Sequence, residues 1–394
     1  MLPGVHTGAI RSGYDVVIVG AGIQGLALAH ELAKRGITDV LVIDRSWPGG
    51  GASGRNGELI RSAFSSPEWC GLFDLALDKW QTLSAELDYN ILFNRDGYAV
   101  LASTEEQWAM LQRDRAFQRS IGLRSELLDD ADARRLLPAA APEMVRGALY
   151  QPHGGFAHHD SVVAGYLEQA AARGVHVVGG REVVAVERSG SRATAVVLAD
   201  GTRIGCGVVV NAAGGHAPDV DRMLGVELGI LSARLEMIVT QPMRPFLGPA
   251  VAALDLLGYC HQTMRGEFVG GTELAHVDQT TSLRGTWAMV RDMATKFTRL
   301  FPSLAGVRLL RHWAGTVSQT PDLAPALGPV PELENVVLSV GWVYGFMGAP
   351  AAGELLAAYI DTGRVDPRLA PFGIERVREG RWIAEGSLVV ETAA

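Results

Sequence analysis

The sequence predicts an α/β protein in which a Rossmann-like domain is interleaved with a mixed-sheet substrate domain. Three observations predict it. Residues 14–45 read as strand, glycine turn, helix and strand. Two later apolar runs end in small residues: Val208-Val209-Val210-Asn211 runs into Ala212-Ala213-Gly214-Gly215, and Val336-Val337-Leu338-Ser339-Val340 runs into Gly341. The stretches between, 90–149 and 226–309, alternate differently and hold no cofactor motif. The expected division is therefore 14–89, 150–225 and 310–380 for a discontinuous cofactor domain, with 90–149 and 226–309 for a discontinuous substrate domain.

Asp15-Val16-Val17-Ile18-Val19 is apolar and β-branched, as a strand buried on both faces requires. Gly20-Ala21-Gly22-Ile23-Gln24-Gly25 fits G-x-G-x-x-G. Gly20 permits the sharp turn, Gly22 lets backbone approach a pyrophosphate, and Gly25 lets the helix lie close on the strand. A helix over about 24–35 follows, with its positive dipole end where phosphates would lie. Gly36 ends it. Val40-Leu41-Val42-Ile43 is the second strand, and Asp44 at its tip can accept the ribose hydroxyls while repelling a 2′-phosphate. The spacing points to a dinucleotide, FAD or NAD.

The loop Gly49-Gly50-Gly51-Ala52-Ser53-Gly54-Arg55-Asn56-Gly57 reads as backbone wrapped around a ligand. Arg61 follows on an apolar approach and suits an anion clamp, because a guanidinium binds carboxylate bidentately; a surface arginine at a helix start is the plainer alternative. Helices are expected over 67–87, over 104–122 behind Ser103 or Thr104, and over 127–137 before Pro138. Strands are expected at 97–102 and 148–150. The turn-rich Gln151-Pro152-His153-Gly154-Gly155-Phe156-Ala157-His158-His159-Asp160 precedes a helix over 161–173, with Asp160 as its cap. Strands at 175–178, 182–187 and 193–199 come next, and Asp200-Gly201 marks a hairpin. Residues 235–240, 259–262 and 267–271 read as strands, 286–301 as a helix, and 351–360 as a last helix with Pro350 at its first position.

Composition is that of an ordinary soluble domain: 394 residues, 48% apolar, 20% charged. The net charge of −8 argues against nucleic acid as a partner. No apolar run reaches the roughly 18 residues of a membrane span. The first thirteen residues lack a signal-peptide core and read as a loose arm. Three widely spaced cysteines, Cys70, Cys206 and Cys260, suit reduced thiols in a cytoplasmic protein and exclude C-x-x-C metal chemistry; no metal is expected.

The ordered set GAGIQG, Asp44, GASGRNGELIR, QPHGGFAHHD, NAAG, RHWAG…TPD and GFMGAPAAGELL resembles the D-amino-acid-oxidase-like flavoproteins, and within them the branch of sarcosine oxidase β subunits and dye-linked proline dehydrogenases. The resemblance implies FAD and oxidation of a secondary or primary amino acid to an imine. It implies that Gly20, Gly22, Gly25, Asp44 and Arg45 hold the ADP half, and that Ser53, Arg55, Asn56 and Gly57 line the pyrophosphate and flavin. Val183 would bond adenine through its backbone; Ala213 and Gly214 would pass under the cofactor; Gly315, Thr316, Gly345, Phe346 and Met347 would lie along the ring. Arg61 matches the arginine that pairs with substrate carboxylate, and Tyr259 and Tyr344 join it as candidate catalytic residues.

Gly315 stands where the single-chain oxidases carry a flavin-linked cysteine, so noncovalent FAD is expected. Phe268 aligns with their oxygen-reactive lysine, and the 345–348 loop lacks the lysine that helps hold the carboxylate in sarcosine oxidases. These departures lean toward a proline-type dehydrogenase acting on proline, hydroxyproline, sarcosine or an opine. His159 aligns with the histidine that carries FMN at the subunit interface of the two-chain sarcosine oxidases, which implies FMN near His159, a partner subunit that accepts electrons, and 154–160 as the docking loop. The alternatives are a single-chain, oxygen-using sarcosine or glycine oxidase, a silent flavin-binding subunit, and an NAD-dependent dehydrogenase.

Overall fold

The computed structural model describes residues 4–6, 9–272 and 278–385. Among them, two eight-stranded sheets face each other across a cleft, joined by a two-stranded ribbon. The first sheet is the cofactor sheet. Its central strand Gly13–Val19 pairs in parallel with Val40–Ile43 on one side and Arg203–Asn211 on the other. His176–Val178 and Leu333–Val340 extend it in parallel, and Ala326–Val330 closes one edge antiparallel. Val17 and Ile18 are fully buried, as the unbroken apolar run requires. The hairpin Val183–Ser189 and Arg192–Leu198 is appended antiparallel to Arg203–Asn211.

The first helix, Ile23–Lys34, packs on the last, Gly345–Thr362, which packs in turn on Pro67–Glu86. The glycine turn makes this possible. Gly20 takes φ +115°, and a Cβ there would overlap the Ala212 carbonyl; a Cβ on Gly25 would overlap the carbonyl of Gly20. Gly353 lies against Ala27 in the same way, so the two helices approach backbone to backbone.

The second sheet runs Leu309–Gln319, Leu231–Pro242, Glu267–Thr272, Gly258–Gln262, Ala250–Ala253, Tyr98–Ala102, Gly147–Gln151, Glu126–Leu128. One face lines the cleft. The other is covered by helix Trp287–Leu300, whose Met289, Met293 and Phe297 are buried with Phe268 and Phe301. Leu309–Gln319, at the start of the third cofactor-like segment, belongs to this sheet through its long pairing with Leu231–Pro242.

Four local expectations need correction. The stretch 127–137 is not one helix: Glu126–Leu128 is a strand paired to Gly147–Gln151, and helix Asp130–Leu136 starts behind Asp129, whose side chain accepts from Asp132 N at 2.9 Å. Asp160 is not a helix cap. The helix is His159–Ala172 with His158 at the cap position, and Asp160 lies in its first turn, where a carboxylate favours the positive dipole end. Pro350 is not the first residue of the last helix, which begins five residues earlier at Gly345. Gly348 permits that early start, because a Cβ there would meet the Trp342 ring at 2.8 Å. Finally, the described part of the N-terminal arm is docked: His6 N donates to Val177 O at 2.7 Å, and the His6 ring stacks on His176.

Candidate active site

The cleft between the sheets holds about 1690 Å³ of non-atom space, part of it open to solvent. Its floor is built by strand ends of the cofactor sheet. Gly20, Gly22, Asp44, Ala213 and Gly214 line it, as does the 51–59 loop with Ser53, Arg55, Asn56 and Gly57. Ser53 Oγ accepts from Ile23 N at 2.9 Å, at the start of the first helix. Asn56 accepts from Glu58 N at 2.6 Å, bracing the loop from inside. Asp44 accepts from Ala21 N and from Ser46 N, each at 2.8 Å, so its carboxylate is fixed toward the glycine turn.

Gln24, at a variable position of the motif, ties two helix starts together. Its Nε2 donates to Gly345 O at 2.6 Å and its Oε1 accepts from Ser339 Oγ at 3.1 Å. The last helix opens onto the cleft with Gly345, Phe346 and Met347, and no side chain caps it. Its first N–H groups therefore present a positive dipole end to whatever lies there. Gly315 and Thr316 complete this end; a Cβ on Gly315 would meet Arg55 Cβ at 3.1 Å, which leaves little room for a larger side chain.

The opposite wall comes from the second sheet and the Arg61 segment. Tyr98, Met237, Ala252, Leu254 and Tyr259 line it. Gly57 makes room for Tyr259, whose hydroxyl reaches Met237 Sδ at 3.2 Å. Arg61 is 2% exposed. Its guanidinium lies over the Phe64 ring at 3.7 Å, with the Tyr98 and Tyr344 rings 5.6 and 5.8 Å away. Nη1 donates to Ala63 O at 2.8 Å, and Nη2 is buried with no partner. No carboxylate pairs with Arg61 among the described residues. A buried guanidinium with an open donor is costly, and a carboxylate ligand is the group that satisfies it.

Glu58 was not foreseen. It takes φ +64°, is 6% exposed and lines the cleft. Oε1 lies 2.5 Å from His159 Nδ1 and Oε2 lies 3.1 Å from His261 Nε2. Burial alone would raise the Glu58 carboxyl, yet the two histidines outweigh it and hold the group well below the usual carboxylate range. Burial would lower His159, but Glu58 raises it above the ordinary imidazole value.

Most residues expected at the site converge there; four do not line the cleft. Gly25 sits beneath it as a packing residue. Arg45 points to the rim, with Nη2 2.6 Å from His216 Nε2, and it is His216 that lines the cleft. Val183 is buried at the start of its strand, paired with Leu198. His159 stands behind Glu58, and 154–157 are buried, so the expected docking loop, 154–160, presents only Asp160 as an exposed residue. Phe268 faces away from the cleft, because side chains alternate along a strand and Phe268 packs on Phe297 with ring centres 5.1 Å apart. The lysine it was aligned against has no counterpart: the chain has lysines only at 34, 79 and 296, each in a carboxylate ion pair. None of them, and no cysteine, lines the cleft.

The whole arrangement is a cradle of glycines and helix starts facing an apolar wall with one buried cation. The family model for FAD-dependent oxidoreductases, DAO, matches residues 15–359. The chain belongs to this family. It is 32% identical over 380 residues to sarcosine oxidase subunit beta of Rhodobacter capsulatus, covering 94% of this chain and 90% of that one. It is 33% identical over 384 residues to the same subunit of an Arthrobacter species, covering 95% and 94%. Among solved structures, L-proline dehydrogenase from P. horikoshii superposes with a TM-score of 0.90 at 27% identity, over 95% of this chain and 100% of that one. The cradle fits FAD: Gly20, Gly22 and Asp44 suit the pyrophosphate and ribose, and the 51–57 loop with Gly345–Met347 suits the ring.

Proposed function

We propose that this FAD-dependent oxidoreductase converts a secondary amino acid of the proline type to its imine, as the catalytic subunit of a multi-subunit dehydrogenase. The open Nη2 of buried Arg61 carries the reading, since it calls for a carboxylate inside the cleft. FAD supplies the hydride-accepting, two-electron chemistry when bound. Arg61 holds the carboxylate; Tyr98, Tyr259 and Tyr344 enclose the carbon frame; Met237 and Leu254 keep water away. The cleft's carboxylates are Asp44 and Glu58, and both are engaged by other groups, so neither serves as a free base. The substrate amine therefore enters deprotonated, and kcat/KM rises with pH.

Electron delivery to a partner rests on the missing lysine and on the likeness to sarcosine oxidase β subunits. FMN near His159 belongs to the same reading: Glu58 lies against Nδ1, Nε2 is on the outer side of the ring, 3.6 Å from Asp160 Oδ1, and Glu58 itself lines the cleft. The absence of cysteine from the cleft lining favours noncovalent FAD, and three free thiols favour a cytoplasmic setting. In the same reading 14–89, 150–225 and 310–380 form the cofactor half and 90–149 with 226–309 the substrate half. The likeness to glycine oxidase from Geobacillus kaustophilus, TM-score 0.83 at 26% identity, supports a second reading, an oxygen-using oxidase.

Anaerobic bleaching of the bound flavin by a panel of amino acids tests the activity. L-proline or a near relative should bleach it, and dye should accept electrons far faster than oxygen. Full-rate peroxide formation by an isolated chain would favour the oxidase.

A further inference from the structure

Away from the cleft, a shallow depression is lined by Arg115, Arg119, Arg124, Ser125, Glu126 and His153. The arginines come from the end of helix Glu105–Ser120 and the segment after it. Some surface arginines of this acidic chain have a carboxylate partner, as Arg146 has Glu105, Arg181 Asp200, Arg203 Glu187 and Arg378 Glu332, and others, such as Arg113 and Arg291, stand singly among the described residues. Here, among the described residues, no carboxylate pairs with Arg115, Arg119 or Arg124. Arg115 Nη1 is buried without a partner, and Arg124 Nη1 reaches only the ring of His153, 3.5 Å from Nε2, which can accept from it. The negative end of the helix accounts for Arg119 in its last turn, but not for three converging guanidinia.

The depression is separate from the cleft but is linked to it through the chain. Gln151, two residues before His153, accepts from Ser62 N at 2.8 Å, beside Arg61. Ser62 Oγ donates to Asp74 at 3.0 Å, and Arg124 acts on Asp74 against the rise that burial imposes. In the other direction His153 leads along the buried 154–157 segment to His159.

We propose that this basic depression receives an acidic segment of the electron-accepting partner chain. This rests on the multi-subunit reading above. Planar guanidinia on an open surface suit a row of peptide carboxylates, whereas a compact anion would want converging backbone N–H groups, and the nearby helix offers only its carbonyl end. A partner seated here lies at the outer end of the segment that leads to His159, next to the path the electrons are proposed to take.

The test uses Arg115→Glu/Arg119→Glu/Arg124→Glu with two readouts. Octaglutamate titrated at low salt should bind the wild type at least tenfold more tightly than the variant. Equal binding, no binding by the wild type, or displacement by millimolar inorganic phosphate would overturn the proposal. Purified from the native host, the variant should lose its partner chain while L-proline still bleaches its FAD anaerobically. A complex that survives the three reversals overturns the docking site. A wild type that bleaches but has no partner sinks the partner with it, whereas a wild type that no amino acid bleaches sinks the proposed activity instead.

Discussion

Two buried arginines in this chain are each 2% exposed, and they differ in one respect. Arg376 has a counter-ion: its Nη1 meets both oxygens of Asp322 at 2.9 and 2.7 Å, its Nη2 donates to Ala324 O and Pro325 O at 2.6 and 2.8 Å, and only its Nε is without a partner. Arg61 is open: one donor is on a carbonyl, an aromatic face lies beneath, and Nη2 is empty-handed. The first arrangement locks the C-terminal segment onto the fold. The second has the cost of burial without the compensating charge. A carboxylate within the chain makes a lock, and its absence makes a binding site.

Removing each arginine should separate these roles. Arg376→Ala leaves Asp322 buried and uncompensated, which typically costs about 3–5 kcal/mol of stability. Chemical denaturation measures it, and a loss below about 1 kcal/mol would mean the lock is ornamental. Arg61→Ala should change stability little, because the guanidinium has no internal counter-ion to abandon. Its effect should fall on KM and kcat/KM, by about 2–5 kcal/mol, or roughly thirty-fold at the least. A variant that unfolds yet keeps its affinity for substrate would reverse the two assignments.

The Glu58 cluster offers a sharper contrast, since its charge is paired inside the cleft wall. Glu58 is held low, so its contribution is present above the unfolded value near 4.3 and lost as pH falls through the folded value. His159 is held high, so its contribution is present below about 6.5 and lost as pH rises through the raised value. Both contributions are therefore full between about pH 4.3 and 6.5. Glu58→Gln should destabilise by about 1.5–3 kcal/mol at pH 6 and by less at pH 9. Equal losses at the two pH values would show that His159 does not feel the carboxylate.

What could be read from the sequence follows from the range of the interactions. The 14–45 unit is local: strand, turn, helix and acid fall within thirty-odd residues, and each has its own signature. Arg61 was legible because a cation on an apolar approach is conspicuous. Glu58 was not, because its meaning depends on His261, some two hundred residues away, and on a backbone conformation unusual for glutamate. Gln24 occupied a variable position of a familiar motif; its role appears only when Ser339 and Gly345 arrive beside it. The wall of Tyr98, Met237 and Ala252 is assembled from three separate strands, so no single window of sequence displays it. Pro350 misled because proline favours a helix start, while glycine packing against Trp342 set the start earlier.

A third buried charge gives the smallest and most diagnostic effect. Asp221 is 3% exposed and has an amide for company: Asn211 Nδ2 donates to it at 2.8 Å. Burial pushes its carboxyl up to about 7, and the Asn211 hydrogen bond offsets only part of that. Unlike Arg61 it does not line the cleft, so no ligand is expected to satisfy it. The folded state keeps a proton that the unfolded chain releases near pH 3.9, so stability present below that value is lost as pH rises toward 7. Asp221→Asn removes the titration, keeps an oxygen for Asn211, and adds an N–H that needs a partner. The variant should match the wild type in activity throughout. Its stability relative to wild type should improve between pH 6 and pH 8, by about 1–2 kcal/mol, given about 1.4 kcal/mol per pKa unit, while the cost of the new donor is the same at both pH values. Denaturation curves at the two pH values decide it. A pH-independent difference would mean that Asp221 is already ionised in the fold, held by solvent rather than by Asn211.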